Sequence, residues 1–106
     1  MKTIKHKKEL ARLLTQYPVV VLQEEIRKCD VCQEQQEQID QILKQHPHAI
    51  GVRMVEKGRR NNLYPKLSIY KGQQKVTFRD TRRNNKVVDH LIGKRPNLRE
   101  ILHGLL

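Results

Sequence analysis

The run Pro18-Val19-Val20-Val21-Leu22-Gln23, then Cys29-Asp30-Val31-Cys32, then a Gln- and Glu-rich stretch to Gln45 constrains this chain more than any other feature. A continuous apolar run with three valines reads as a strand buried on both faces. Cys32–Gln45 is built from good helix formers, with Ile39, Ile42 and Leu43 as a buried stripe, and His46-Pro47 ends it. A Cys-x-x-Cys at such a strand-to-helix junction has a specific chemical use. The amides of the helix N-terminus favour the first thiolate, and the second cysteine lies one turn away, close enough to close a disulfide. The chain has no other cysteine.

The chain of 106 residues reads as one domain, 1–106, with one modest core. It carries 22 Lys and Arg against 11 Asp and Glu, a formal net charge of +11, so anionic partners are attracted without being identified. The basic N-terminus, Met1 to Lys8, is not followed by an apolar stretch, and no segment reaches membrane-spanning length. The expected compartment is the cytoplasm, with no membrane partner. There a close cysteine pair is more often catalytic or metal-binding than a structural staple. Zinc requires four ligands, and His46 and His48 lie at the far end of the helix, about 20 Å from the pair at 1.5 Å per residue. The reading is therefore no metal and no cofactor.

The remaining elements follow from periodicity. Leu10, Leu13, Leu14 and Tyr17 make one face of a helix over Lys5–Gln16, which Pro18 stops. Glu24–Lys28 reads as a charged loop. Ala49–Glu56 alternates as a strand, and Glu56–Leu63 is polar loop, too short for a crossover helix and its connections. Lys66–Tyr70 and Lys75–Asp80 flank Gly72 as a hairpin. Val87, Val88, Leu91 and Ile92 fit one face of a helix over Asn85–Ile92, and Asn97 caps a last helix with Leu98, Ile101, Leu102 and Leu105. The expected architecture is α/β: a four-stranded mixed sheet flanked by helices, with a right-handed parallel crossover through the cysteine helix.

On two motifs the chain resembles the thioredoxin superfamily over most of its length. One is Val19-Val20-Val21-Leu22 leading through a loop to Cys29-Asp30-Val31-Cys32 at the head of a helix. The other is Leu63-Tyr64-Pro65-Lys66-Leu67-Ser68-Ile69-Tyr70-Lys71-Gly72, similar to the family's proline-strand-glycine-strand segment. The resemblance implies a three-layer sandwich, here with the crossover helix before the Pro65 strand shortened or absent, so that one sheet face is thinly covered. It also implies a cis bond at Tyr64–Pro65 beside the cysteine pair, with the backbone of Tyr64 offered to an extended substrate peptide. Four positions depart from the family pattern. Asp30-Val31 stands between the cysteines in place of Gly-Pro or Pro-Tyr. Lys28 replaces the usual tryptophan. Counted back along the strand, the family's buried acidic residue falls at Gln23.

The resulting assignment is a thiol–disulfide oxidoreductase acting on protein disulfides. Cys29 is its nucleophile and Cys32 the resolving thiol; Tyr64 and Pro65 contact substrate, and Lys28, Asp30 and Val31 modulate the pair. Arg27 and Lys28 favour the thiolate and Asp30 opposes it. Lys57, Arg59 and Arg60 suggest an acidic disulfide partner; the electron donor is not identified. The other reading is a non-catalytic binding module on the same fold, whose basic surface takes a protein or nucleic acid. Nucleic acid is the less favoured partner, because such surfaces usually interleave aromatics with the basic residues and this chain has almost none to spare.

Overall fold

The computed structural model describes residues 1–25, 29–55 and 65–106. In chain order these form β1 (Lys2–Ile4), α1 (Lys7–Gln16), β2 (Val19–Glu25), α2 (Asp30–Leu43), β3 (Ala49–Val55), β4 (Lys66–Lys71), β5 (Gln74–Lys75) and β6 (Phe78–Asp80). A 3-10 turn (Thr81–Arg83), β7 (Lys86–Val88), β8 (Leu91–Ile92) and α3 (Leu98–Leu105) complete them. The main sheet runs β1-β3-β2-β4-β5, with β8 also on β4. β1 and β2 lie parallel to β3, whereas β4 is antiparallel to β2 and to both β5 and β8.

β2 is the centre. It is hydrogen-bonded on both sides, Leu22 lying opposite Val52 and Ser68. Its alternate residues serve two cores. Val19 and Val21 pack with Ile39 and Ile42 of α2, Leu67 and Ile69 of β4, and Leu98 and Leu102 of α3. Val20 and Leu22 pack on the other face with Ile4, Leu13, Val52 and Met54, closed over by Leu10 and Leu14 of α1. The result is an α/β sandwich, with α2 and α3 on one face and α1 on the other. Gly51 is needed where α2 meets β3, since a Cβ there would lie 3.1 Å from Leu43 Cδ1. At the lower ends of α2 and α3 the rings of His46 and His103 share a hydrogen bond of 2.8 Å. Burial and the neighbouring His103 and His48 hold His46 below the ordinary imidazole range.

Four expectations need correction. Lys75–Asp80 is not one strand of the Gly72 hairpin: Gln74–Lys75 pairs with β4, whereas Phe78–Asp80 pairs with β7 in a second sheet. The mixed sheet has six strands, because β1 and β8 join it. Lys2–Ile4 is too short to show alternation, and its pairing comes from the neighbour β3. β2 continues to Glu25 rather than ending at Gln23, because the buried Glu25 carboxylate finds a cationic partner in Arg53 of the neighbouring β3. Asn85–Ile92 is not helical. Asn84 and Asn85 both take left-handed backbone, φ 55° and 56°, and turn the chain back so that β7 pairs with β6 as a separate two-stranded sheet. Leu91-Ile92 then joins β4. The β-branched Val87 and Val88 suit the extended form, where the helical spacing was coincidental. The Glu56–Leu63 connection, and with it the shortened crossover, lies outside the described residues.

Asp80 ends β6 and is buried against Arg95, which donates to both its carboxylate oxygens at 2.8 and 2.7 Å. Asp80 also caps the 3-10 turn by accepting from Arg82 N at 3.0 Å. The Arg95 hydrogen bonds outweigh burial and hold the Asp80 carboxyl below its ordinary value. A lowered folded-state pKa means stabilisation that is present above the unfolded value, about 3.9, and lost as pH falls through the folded one. We expect Asp80→Ala to cost about 3–5 kcal/mol by urea unfolding at neutral pH, because it strands a buried guanidinium. Below about pH 4 the difference from the parent protein should shrink.

Candidate functional site

α2 begins where the cysteines are. Cys29 is the N-cap residue, with extended backbone (φ −116°, ψ 100°), and its Sγ accepts a hydrogen bond from Cys32 N at 3.0 Å. Cys29 and Cys32 are joined as a disulfide, S–S 2.09 Å and Cα–Cα 5.2 Å. Cys29 is half-buried, while Cys32 is 1% exposed. The outer sulfur therefore sits where free helix amides point, and the inner one is shielded. Asp30 is exposed in the first helical turn, and Val31 is half-buried beside it. Asp30 suits the helix dipole but sets negative charge next to Cys29. Lys28 and Arg27 lie outside the described residues, as does Tyr64, so the Tyr64–Pro65 bond lies outside them too. So do Lys57, Arg59 and Arg60.

Pro65 is buried immediately before β4, and its carbonyl accepts from Gly93 N at 2.9 Å. Gly93 has φ +80°, a conformation that favours glycine. Its own carbonyl accepts from Gln35 Nε2 at 3.3 Å. Gln35 is one turn beyond Cys32. The proline end of β4 and the cysteine end of α2 are thus brought together through a single glycine.

The polar group beneath the disulfide is an amide. Gln23 is fully buried, and its Nε2 donates to Cys32 O and to Gln35 Oε1, both at 2.9 Å. Its Oε1 accepts from Gln36 Nε2 at 2.8 Å. Gln36 also donates to the buried carboxylate of Glu25, which is ion-paired with Arg53. Every polar atom of the Gln23 side chain is satisfied, so this position holds the helix in place. An amide has no proton to exchange with Cys32.

The sequence reading left out Gln35, Gln36, Glu25, Arg53 and Gly93 as members of this site. A signal for two of them was available. Gln35 and Gln36 follow Cys32 by three and four residues and precede Ile39 by four and three, which puts them in the buried stripe of α2. Among the described residues no group of three or more His, Cys, Asp and Glu side chains could hold a metal ion.

No protein-family model matches the chain, and no curated protein sequence matches it. Solved structures do match its fold. Thioredoxin from Plasmodium falciparum superposes with a TM-score of 0.68 at 15% identity, over all of both chains. Mitochondrial thioredoxin 3 from Saccharomyces cerevisiae gives 0.68 at 15% identity, over 100% of this chain and 95% of that one. A chain of the complex between ferredoxin:thioredoxin reductase and thioredoxin f2 gives 0.65 at 14% identity, over 98% and 93%. The fold is thioredoxin-like, and the disulfide occupies the Cys-x-x-Cys at the head of a helix.

Gln23→Glu tests the amide network. It keeps the shape but removes the two N–H groups that serve Cys32 O and Gln35. A carboxyl facing that carbonyl is better protonated, so its folded pKa rises above the unfolded value of about 4.3. Its stability is then fullest at acid pH and falls as pH rises through the folded pKa. We expect a loss of about 1–3 kcal/mol at neutral pH by chemical denaturation. It should be recovered on acidification, whereas Gln23→Ala should lose as much at both pH values.

Proposed function

We propose that this chain is a dithiol–disulfide oxidoreductase that exchanges its Cys29/Cys32 couple with protein disulfides in the cytoplasm. The observation that carries the reading is the asymmetry of the pair: a half-buried Cys29 at a helix N-cap and a Cys32 shielded behind it. In the reduced protein the Cys29 thiolate attacks one sulfur of a substrate disulfide. That bond breaks as the Cys29–substrate bond forms, and the departing substrate thiolate takes up a proton. Cys32, after losing its proton to solvent, attacks Cys29 Sγ and releases the second substrate thiolate. Two electrons pass to the substrate and the Cys29–Cys32 disulfide remains. A dithiol donor must then restore the pair, and no cofactor takes part.

The backbone of Tyr64 and the buried Pro65 are assigned to hold the substrate strand, with Lys28, Asp30 and Val31 adjusting the reactivity of Cys29. Lys28 favours the thiolate, and Asp30 opposes it. The reductase complex to which the fold is similar supports a protein as the partner. A binding module without turnover would keep the same fold, so catalysis is the discriminating measurement.

The reduced protein should accelerate reduction of a protein disulfide in a coupled assay. Cys29→Ser should bring the rate to the uncatalysed level, and Cys32→Ser should accumulate a mixed disulfide visible by mass spectrometry. Iodoacetamide should label Cys29 faster than Cys32 near neutral pH, because Cys29 is the more accessible thiol and lies at the helix N-cap. Preferential labelling of Cys32, or no acceleration by the parent protein, would leave the redox assignment without support.

A further inference from the structure

The β6–β7 hairpin ends in a cluster of cations that the redox assignment does not use. Arg79, Arg82, Arg83 and Lys86 are all exposed. The one carboxylate among them, Asp80, is turned inward and consumed by Arg95. The same pair pins the turn against the segment just before α3. Arg82 Nη1 donates to Lys94 O at 3.2 Å, so the guanidinium is held in place.

That segment is part of the disulfide's surroundings. Gly93, next to Lys94, bonds both Pro65 and Gln35. Lys94 Nζ itself reaches Glu34 of α2 at 3.1 Å, two residues beyond Cys32. Through Lys94 and Gly93 the 3-10 turn that carries Arg82 and Arg83 is therefore joined to the segment that meets both Pro65 and the first turns of α2. Of the acidic groups of α2 nearby, Glu34 is paired with Lys94, and Asp30 is exposed in the first turn. On the hairpin side the exposed cations Arg79, Arg82, Arg83 and Lys86 outnumber the carboxylates among the described residues, Asp80 being buried and Glu100 lining the cleft with Arg79.

We infer that Arg82 and Arg83 select substrates, favouring a peptide disulfide flanked by aspartate or glutamate on the side that crosses the 3-10 turn. The inference rests on the oxidoreductase reading above and names its substrate class. Arginine suits the task because its planar fork can take a carboxylate through two hydrogen bonds. A peptide is favoured over nucleic acid because the surface adjoins a site that handles extended chain. The aromatic beside the hairpin, Phe78, is half-buried against the core and does not offer a stacking face. Charge at the rim of a contact acts mainly on association rate and salt dependence.

The test uses two synthetic peptides with the same disulfide, one flanked by Asp and Glu and one by Lys, together with a small neutral disulfide. At about 0.01 M salt the reduced protein should react about tenfold faster with the acidic peptide, and the two rates should converge at about 1 M salt. Arg82→Ser with Arg83→Ser should remove the preference and leave the neutral disulfide unaffected. Arg82→Lys with Arg83→Lys should restore most of it. Lys7→Ser with Lys8→Ser on α1, which removes as much charge elsewhere, should preserve it. Equal rates with the two peptides in the parent protein, or a preference that survives the double Ser variant, overturns the inference and leaves the oxidoreductase reading intact. So does retention of a duplex oligonucleotide through Arg82 and Arg83 without peptide discrimination. Failure to reduce all three disulfides overturns the oxidoreductase reading itself.

Discussion

One side-chain amide holds the start of the cysteine-bearing helix to the sheet. Gln23 stands on the central strand, fully buried, and grips the carbonyl of Cys32 and the side chains of Gln35 and Gln36. The apolar contacts of Ile39 and Ile42 fix α2 only farther down its length. Apolar contact is non-directional and does not define where the first turn stops. Directed hydrogen bonds do. Through Gln35 the same group reaches Gly93, and through Gly93 it reaches Pro65, so the two halves of the site share one anchor. A neutral anchor also has a chemical effect. The group beneath the resolving thiol does not titrate, and the nearest carboxylate in this network, Glu25, is engaged by Gln36 and Arg53.

The parts of the fold legible in the sequence are those where one physical signal dominates. Val19–Leu22 had to be a buried strand. Cys29–Cys32 had to head a helix, since Gln33 to Leu43 has no competing pattern. Gly72, with φ 58°, closes the turn between β4 and β5 as its position suggests. Where two signals competed, the sequence misled. The spacing of Val87, Val88, Leu91 and Ile92 satisfies a helix face and also two short strands, and the left-handed Asn84 and Asn85 decide between them. β1 was illegible because three residues carry no period, and Glu25 because a lone glutamate after a strand reads as solvent-facing. Its partner Arg53 is distant in sequence, and only the β2–β3 register brings them together.

The net charge of +11 also divides once the fold is known. Arg95 and Arg53 are spent on buried carboxylates, where they act as structure. Lys75 is paired with Asp89, and Lys94 with Glu34. Arg82 and Arg83 remain turned outward on a turn whose own acid is hidden. Among the described residues, a basic composition thus resolves into internal supports, paired surface lysines and exposed clusters, of which the 3-10 turn is one.

The separation of β6 and β7 from the main sheet has a consequence for how the molecule breathes. Two paired strands alone are marginal in water, and this hairpin has no third strand among the described residues. β2, flanked on both sides and carrying the anchor of the disulfide helix, belongs to the part whose amides are released only when the whole molecule opens. The hairpin depends instead on its attachments to the body, Phe78 against the main core and Asp80 on Arg95. The cation cluster of the hairpin therefore sits on a different sheet from the strand that anchors the disulfide helix. The exposed turn beyond those attachments could be lengthened or recharged without touching the strand that anchors the disulfide helix.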